Sequence, residues 1–352
     1  MAQTAILITL ALATVCFTVA YLLLKKEILR QSKNLFLPLG LTMGLAWQIL
    51  YFSFPEFSDY ITALYVWEIP FVILLSLLIF YQSKNHPLWQ TALISLVSIE
   101  ISCILLPSEA YGISPELPFW ADRSILIALW LIYTLAFPLF TTIDGIAPLQ
   151  GICVCTGIMS LSFIGAAPYQ LGAFAVCGLA VFSAWLIYNT YPAKVGINPN
   201  SCYALGFLLG WLNIKTASEG AASSILSLNI FYFYEIAVCL LRGLSLKPQY
   251  KNWQLNTDFY QLSVSGLSPK DITNTISKLI LLLIVFSIFS AYSPNQTSIP
   301  LFSLLICAWF FYRLNNSQEK VPTLKELPKT IIQDIKSNVS EISANFTKDK
   351  DK

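Results

Sequence analysis

Residues Ala2 to Leu24 form a run without a single charged side chain, closed by Lys25-Lys26. As a helix rising 1.5 Å per residue, such a run covers about 33 Å, enough for the ~30 Å hydrocarbon core of a bilayer. A backbone in hydrocarbon must satisfy its own N–H and C=O groups, so a run of this kind is confined to a helix. Comparable runs recur along most of the 352 residues. Hydrophobic residues make up 56% of the chain and charged residues 11%, against about a quarter charged in soluble domains. These features exclude a soluble globular protein and predict an all-α, polytopic helical membrane protein. The first run lacks a basic leader and ends in two lysines, so it is read as a retained span and not a cleaved signal.

Eleven spans are predicted, at about 4–24, 36–54, 61–81, 91–107, 123–141, 150–167, 169–188, 203–217, 222–241, 276–293 and 299–314. With the N-terminus outside, 19 of the 21 Lys and Arg residues fall in inner segments or the tail. Arg123 and Lys215 alone stay in outer segments. Basic residues accumulate on the cytoplasmic side, so this orientation, with an odd number of spans and the C-terminus inside, is the expected one. A bacterial inner (cytoplasmic) membrane is the expected location. The chain divides into a membrane domain, 1–315, and a cytoplasmic tail, 316–352. In the tail, Leu324, Leu327, Ile331, Ile335, Val339, Ile342 and Phe346 recur three to four apart among polar residues. That period predicts an amphipathic helix lying on the inner leaflet.

The stretch from Tyr188 to Ser201 is the most polar linker in the middle of the chain. Pro192, Pro199, Gly196 and three asparagines break helical geometry there, so it is read as an inner loop. The eight cysteines sit in or beside apolar runs, which favours packing over disulfides or metal. The lone histidine, His86, cannot build a histidine-based site.

Taken together, the inner loops resemble the polyprenyl-phosphate N-acetylhexosamine-1-phosphate transferases, glycosyltransferase family 4. That family has a loop reading Asn, two residues, Pro-Ala-Lys, then a Gly-Asp motif and a span with a Leu/Gly-Phe start. Asn189, Pro192, Ala193 and Lys194 match it, followed by Leu205-Gly206-Phe207. The Gly-Asp pair is replaced by Asn198-Pro199. An Asn-rich, double Asp-Gly motif after the fifth span is reduced to Asp144-Gly145. The Asp-Asp pair expected after the third span aligns with Phe80-Tyr81. The histidine motif aligns with residues 257–262, where Asp258 stands and no histidine does. Glu235 replaces an aspartate in the ninth span.

The resemblance implies transfer of a phosphosugar from a UDP-sugar to polyprenyl phosphate in a cell-envelope glycan pathway. That reaction gathers negative oxygens at one phosphorus and calls for Mg²⁺ held by carboxylates. With most acidic positions lost, the expectation is a pseudoenzyme that binds a polyprenyl-linked ligand or a partner enzyme and needs no cofactor. Mg²⁺ would be required only if the family activity survives. The alternatives are an active transferase with relocated ligands (Asp144, Glu235 and Asp258) and a membrane transporter. Expected partners are membrane lipids, polyprenyl phosphate or a lipid-linked sugar, an envelope-biosynthesis protein or a second copy, and no nucleic acid.

Asp144 and Glu235 are the vestigial catalytic candidates. Asp144 has a competing reading as a helix cap. Arg30, Lys33, Asn189, Lys194 and Arg242 are the ligand-binding candidates. For the cations, anchoring on the inner face is the competing reading, and for Asn189 it is holding its own loop. Glu68 and Glu100 lie within predicted spans, where a carboxyl is costly and marks a functional site by default. The two are expected either to face one another or to bond a neighbouring backbone or hydroxyl group.

Overall fold

The computed structural model describes residues 2–29, 36–53, 63–83, 87–104, 117–245, 256–293 and 298–316. Among these the regular elements are helices throughout: α1 (Ala2–Leu29), α2 (Phe36–Ser53), α3 (Ala63–Ser83), α4 (Leu88–Ile104) and α5 (Phe119–Ala136). A 3₁₀ turn, Phe137–Thr141, extends α5. There follow α6 (Ile146–Phe163), α7 (Tyr169–Asn189), α8 (Pro199–Thr216) with a π-helical turn at Ala217–Ala221, and α9 (Ala222–Leu228). The last four are α10 (Ile230–Ser245), α11 (Asp258–Val264), α12 (Pro269–Tyr292) and α13 (Ser298–Asn316). Arg30, Lys33, His86 and the predicted tail helix lie outside the described residues.

Local chemistry sets several of the boundaries. Asn198 caps α8, its side chain accepting from the Ser201 N–H at 2.9 Å, with Pro199 in the first turn. Ser268 and Pro269 repeat the arrangement at α12, where the Asp271 N–H reaches the Ser268 hydroxyl at 3.2 Å. Each cap satisfies a donor that a helix start would otherwise leave free.

Among the described residues, five helices are long and apolar enough to cross a membrane: Ile6–Ile28, Phe119–Thr141, Ile146–Phe163, Tyr169–Asn189 and Pro269–Tyr292. A sixth arises if the bent pair Pro199–Leu228 and Ile230–Leu244 counts as one span. Three shorter apolar helices, Glu68–Ser83, Leu88–Cys103 and Ser298–Leu314, stand beside them. The chain is an all-helical integral membrane protein. The two spans predicted at 203–217 and 222–241 form a single bent path. Gly220, at φ +99°, leaves helical geometry inside the π turn, and a second break at Asn229 sends α10 off at 58°.

α7 packs against α1, α2 and α6, and α8 against α3 and α5, with α2 and α6 also touching α8. α12 and α13 close against α6, α9 and α10. The interior is strongly aromatic. Tyr232 stacks between Tyr133 at 4.1 Å and Phe140 at 4.3 Å, and its hydroxyl donates to the Tyr133 carbonyl at 2.6 Å. All eight cysteines are free thiols; seven are buried and Cys103 is half-buried.

Candidate functional site

The loop after α7 and the turn before α6 are tied into one knot at one end of the bundle. Asn189 is buried at the end of α7. Its side-chain oxygen accepts from the Gly145 N–H at 2.9 Å, and its amide donates to the Val195 carbonyl at 2.9 Å. Asp144 accepts from the Ala193 N–H at 3.0 Å through Oδ2, and its carbonyl accepts from the Thr273 hydroxyl of α12 at 2.9 Å. The Lys194 and Val195 N–H groups both donate to the Tyr188 carbonyl. Three segments far apart in sequence, 144–145, 188–195 and Thr273, meet here through Asp144 and Asn189.

This corrects the cap reading of Asp144. The N-cap of α6 is Gly145, without a side-chain cap bond and with φ +89°. That left-handed residue separates Asp144 from the helix start and turns its carboxylate toward the Pro192-Ala193 loop. Only glycine takes such a φ cheaply. Lys194 is exposed on the loop surface and Asn189 holds the loop together.

A second polar cluster links α10 to α11. The Asp258 N–H donates to Glu235 Oε2 at 3.0 Å, and the Tyr234 hydroxyl donates to Asp258 Oδ2 at 3.1 Å. Arg242 forms an ion pair with Asp258 and donates to the Asn256 carbonyl at 2.7 Å. Glu235 and Asp258 are buried, while Arg242 is partly exposed. Glu235 Oε1 meets no hydrogen-bond partner among the described residues. Phe259 of α11 sits 5.8 Å from Phe140, ahead of Asp144, so the two clusters occupy the same end of the bundle. Asp144 and Glu235 nonetheless bond to different backbone segments. Among the described residues no three His, Cys, Asp or Glu side chains gather closely enough to hold a metal ion.

Glu68 and Glu100 do not face each other. Glu68 is buried on α3, 3.4 Å from Lys215 Nζ, and accepts from the Trp211 indole N–H at 3.1 Å. Lys215 also lies 3.8 Å from the partly exposed Glu219. Lys215, expected as an outer-segment cation, is therefore buried against α3. Glu100 is exposed on α4.

Sequence reasoning missed a cavity of about 550 Å³ between α5, α8, α9, α10 and α13. Its walls are mostly apolar, among them Leu126, Trp130, Ile214, Ile225 and Leu304. Tyr133, Asn213 and Asn229 supply its polar side. Asn229 Nδ2 donates to Asn213 Oδ1 at 3.0 Å, and Gln150 Nε2 donates to Asn229 Oδ1 at 3.1 Å and to the Tyr133 hydroxyl at 3.2 Å. The signal was present in three uncharged amides inside apolar runs, which need buried partners. Their spacing alone does not reveal that they converge. No protein-family model matches the chain, and no curated protein is similar to it.

Proposed function

We propose that this protein is a catalytically silent relative of the polyprenyl-phosphate sugar-1-phosphate transferases, acting in the membrane as a binder of a polyprenyl-linked ligand. The observation that carries this reading is the fate of Asp144 and Asn189. Both match positions of the resembled motifs, and each accepts from a backbone N–H of the other's segment, Asn189 from Gly145 and Asp144 from Ala193. A single carboxylate with one oxygen already bonded to a loop N–H supplies few of the oxygen ligands that Mg²⁺ takes in its near-octahedral shell. The apolar cavity between α5 and α13 provides room of the size that small ligands and lipid chains occupy. Its amide-lined side could face the polar part of such a chain.

A second reading is favoured by one observation. Glu235 Oε1 is buried beside Asp258 without a hydrogen-bond partner among the described residues, so a transferase with relocated ligands would be built there.

The test is native mass spectrometry after extraction in mild detergent, paired with an assay of UMP release from UDP-N-acetylhexosamine and polyprenyl phosphate. The proposal expects a co-purified polyprenyl lipid and no magnesium-dependent UMP. Magnesium-dependent turnover abolished by Glu235→Gln would establish the second reading. A protein free of polyprenyl lipid, and unable to take it up when supplied, would overturn the first.

A further inference from the structure

The cavity between α5, α8, α9, α10 and α13 has no charged side chain among its described walls. Its volume of about 550 Å³ falls in the range of about 300–1,000 Å³ that bound small molecules take. Leu226 of α9 and Leu301 and Leu304 of α13 stand on its wall and are also exposed. In a chain that spans a membrane, exposed leucines at such a rim face hydrocarbon. The cavity therefore opens to the bilayer, and what enters it comes from there.

The amides on its polar side place their hydrogens within their own network. Asn229 Nδ2 donates to Asn213 Oδ1 at 3.0 Å and to the Ile225 carbonyl at 2.9 Å. Gln150 Nε2 donates to Asn229 Oδ1 and to the Tyr133 hydroxyl. Asn213 Nδ2 stands 3.5 Å from Asn229 Oδ1, and the Asn213 side chain also donates to Tyr133. The Tyr133 oxygen thus accepts from two amides, and a phenol still has its own hydrogen to donate. Among the described residues that hydrogen meets no acceptor. The other polar wall groups are engaged: the Trp130 indole donates to the Phe207 carbonyl, and Ser223 pairs with Ser290. Cations are turned elsewhere. Lys215 faces Glu68 of α3, and Arg242 stands nine residues beyond Phe233 on α10, about 13 Å along the helix. A buried donor of this kind is completed by an acceptor that the occupant of the cavity brings.

We propose that this cavity binds the uncharged head of an isoprenoid lipid, an alcohol or a carbonyl, whose oxygen accepts from the Tyr133 hydroxyl. An ionised phosphate placed against apolar walls without a cation costs far more than one hydrogen bond returns. A neutral oxygen gives up much less hydration and gains the Tyr133 bond. Tyr133 is then the residue that sets specificity, and the phosphate-bearing form of the lipid is rejected here. The uncharged head is argued from the cavity alone, whereas the isoprenoid chain rests on the proposed function.

The experiment supplies the full chain, stripped of lipid in detergent micelles, with geranylgeraniol, its methyl ether, geranylgeranyl phosphate or the chain-matched hydrocarbon. Native mass spectrometry counts the bound ligand over a concentration series. The alcohol and the ether are expected to bind alike, since each brings an acceptor. The hydrocarbon should bind about 5- to 30-fold more weakly, the weight of one hydrogen bond, and the phosphate more weakly than the alcohol. Tyr133→Phe should bring the alcohol down to the level of the hydrocarbon. Leu304→Trp fills the rim without touching the amide network and should abolish binding of every probe. Phosphate binding as tightly as the alcohol would overturn the uncharged head and leave the polyprenyl reading standing. Hydrocarbon binding as tightly as the alcohol, or binding that survives Leu304→Trp, would overturn the proposal. Eicosanol binding as tightly as geranylgeraniol would uphold the head and overturn the isoprenoid chain.

Discussion

Replacing Lys215 by methionine should destabilise this protein more than replacing its partner Glu68 by glutamine, and the reason is geometric. The two charges lie 3.4 Å apart, each side chain 4% exposed. At an effective dielectric of about 20 their attraction is about 5 kcal/mol. Removing one partner of a buried pair typically costs about 3–5 kcal/mol, because the survivor stays buried and uncompensated. Here the survivors differ. Without Lys215, Glu68 retains among the described residues the Trp211 indole bond, so the full cost of about 3–5 kcal/mol is expected. Without the Glu68 charge, Lys215 still has Glu219 at 3.8 Å, a side chain 30% exposed. The glutamine amide introduced by Glu68→Gln would keep an acceptor for Trp211. A cost of about 1–2 kcal/mol is expected for this substitution, near the strength of a charge-assisted hydrogen bond. The double variant should cost less than Lys215→Met alone, giving a coupling larger than the cost of Glu68→Gln, that is more than about 1–2 kcal/mol. Reversible unfolding in mixed micelles titrated with a denaturing detergent, followed by tryptophan fluorescence, measures all three. Additive costs would refute the reasoning, and so would Glu68→Gln proving the more damaging substitution.

Two further outcomes follow from the packing. Asn189→Ala orphans the Gly145 N–H and the Val195 carbonyl, each worth about 1–3 kcal/mol when buried; thermal unfolding should show a clear loss, with Asn189→Asp milder because it keeps the acceptor. A Cβ at Gly210 would stand 2.4 Å from Trp130 Cδ1, and Trp130 donates to the Phe207 carbonyl at 2.9 Å. Gly210→Ala should therefore cost about 1–3 kcal/mol by overpacking and push the indole toward the cavity, lowering the amount of lipid that co-purifies by native mass spectrometry.

Some of the site was legible in the residues alone. The break between Asn189 and Pro199 follows from a density of Pro, Gly and Asn that no helix accommodates. The structure ends α7 and starts α8 at those residues. The flagged Asp144, Asn189, Glu235 and Arg242 all lie in polar clusters at one end of the bundle. Their partners were not legible. Asp144 bonds Ala193 across 49 residues and Thr273 across 129, and no local period encodes a contact of that range. The bend was half visible. Gly220 suggests a break, whereas Asn229 looks like an ordinary polar residue until Gln150 and Asn213 are seen to meet it.

The sequence by itself determined that the chain crosses a membrane as helices, because long uncharged runs leave the backbone no other way to satisfy its polar groups in hydrocarbon. It also determined where several helices start, since a cap acts within one turn. Only the tertiary structure decided which carboxyl of an apolar run is buried against a cation. Glu68 and Glu100 look alike in sequence, each a carboxyl within an apolar run. Packing of α3 against α8 gives Glu68 the ammonium of Lys215, and the peripheral position of α4 gives Glu100 no such partner among the described residues. Electrostatic cost in a low-dielectric medium depends on distances of a few ångströms, and those are fixed by helix packing and not by the order of residues along the chain.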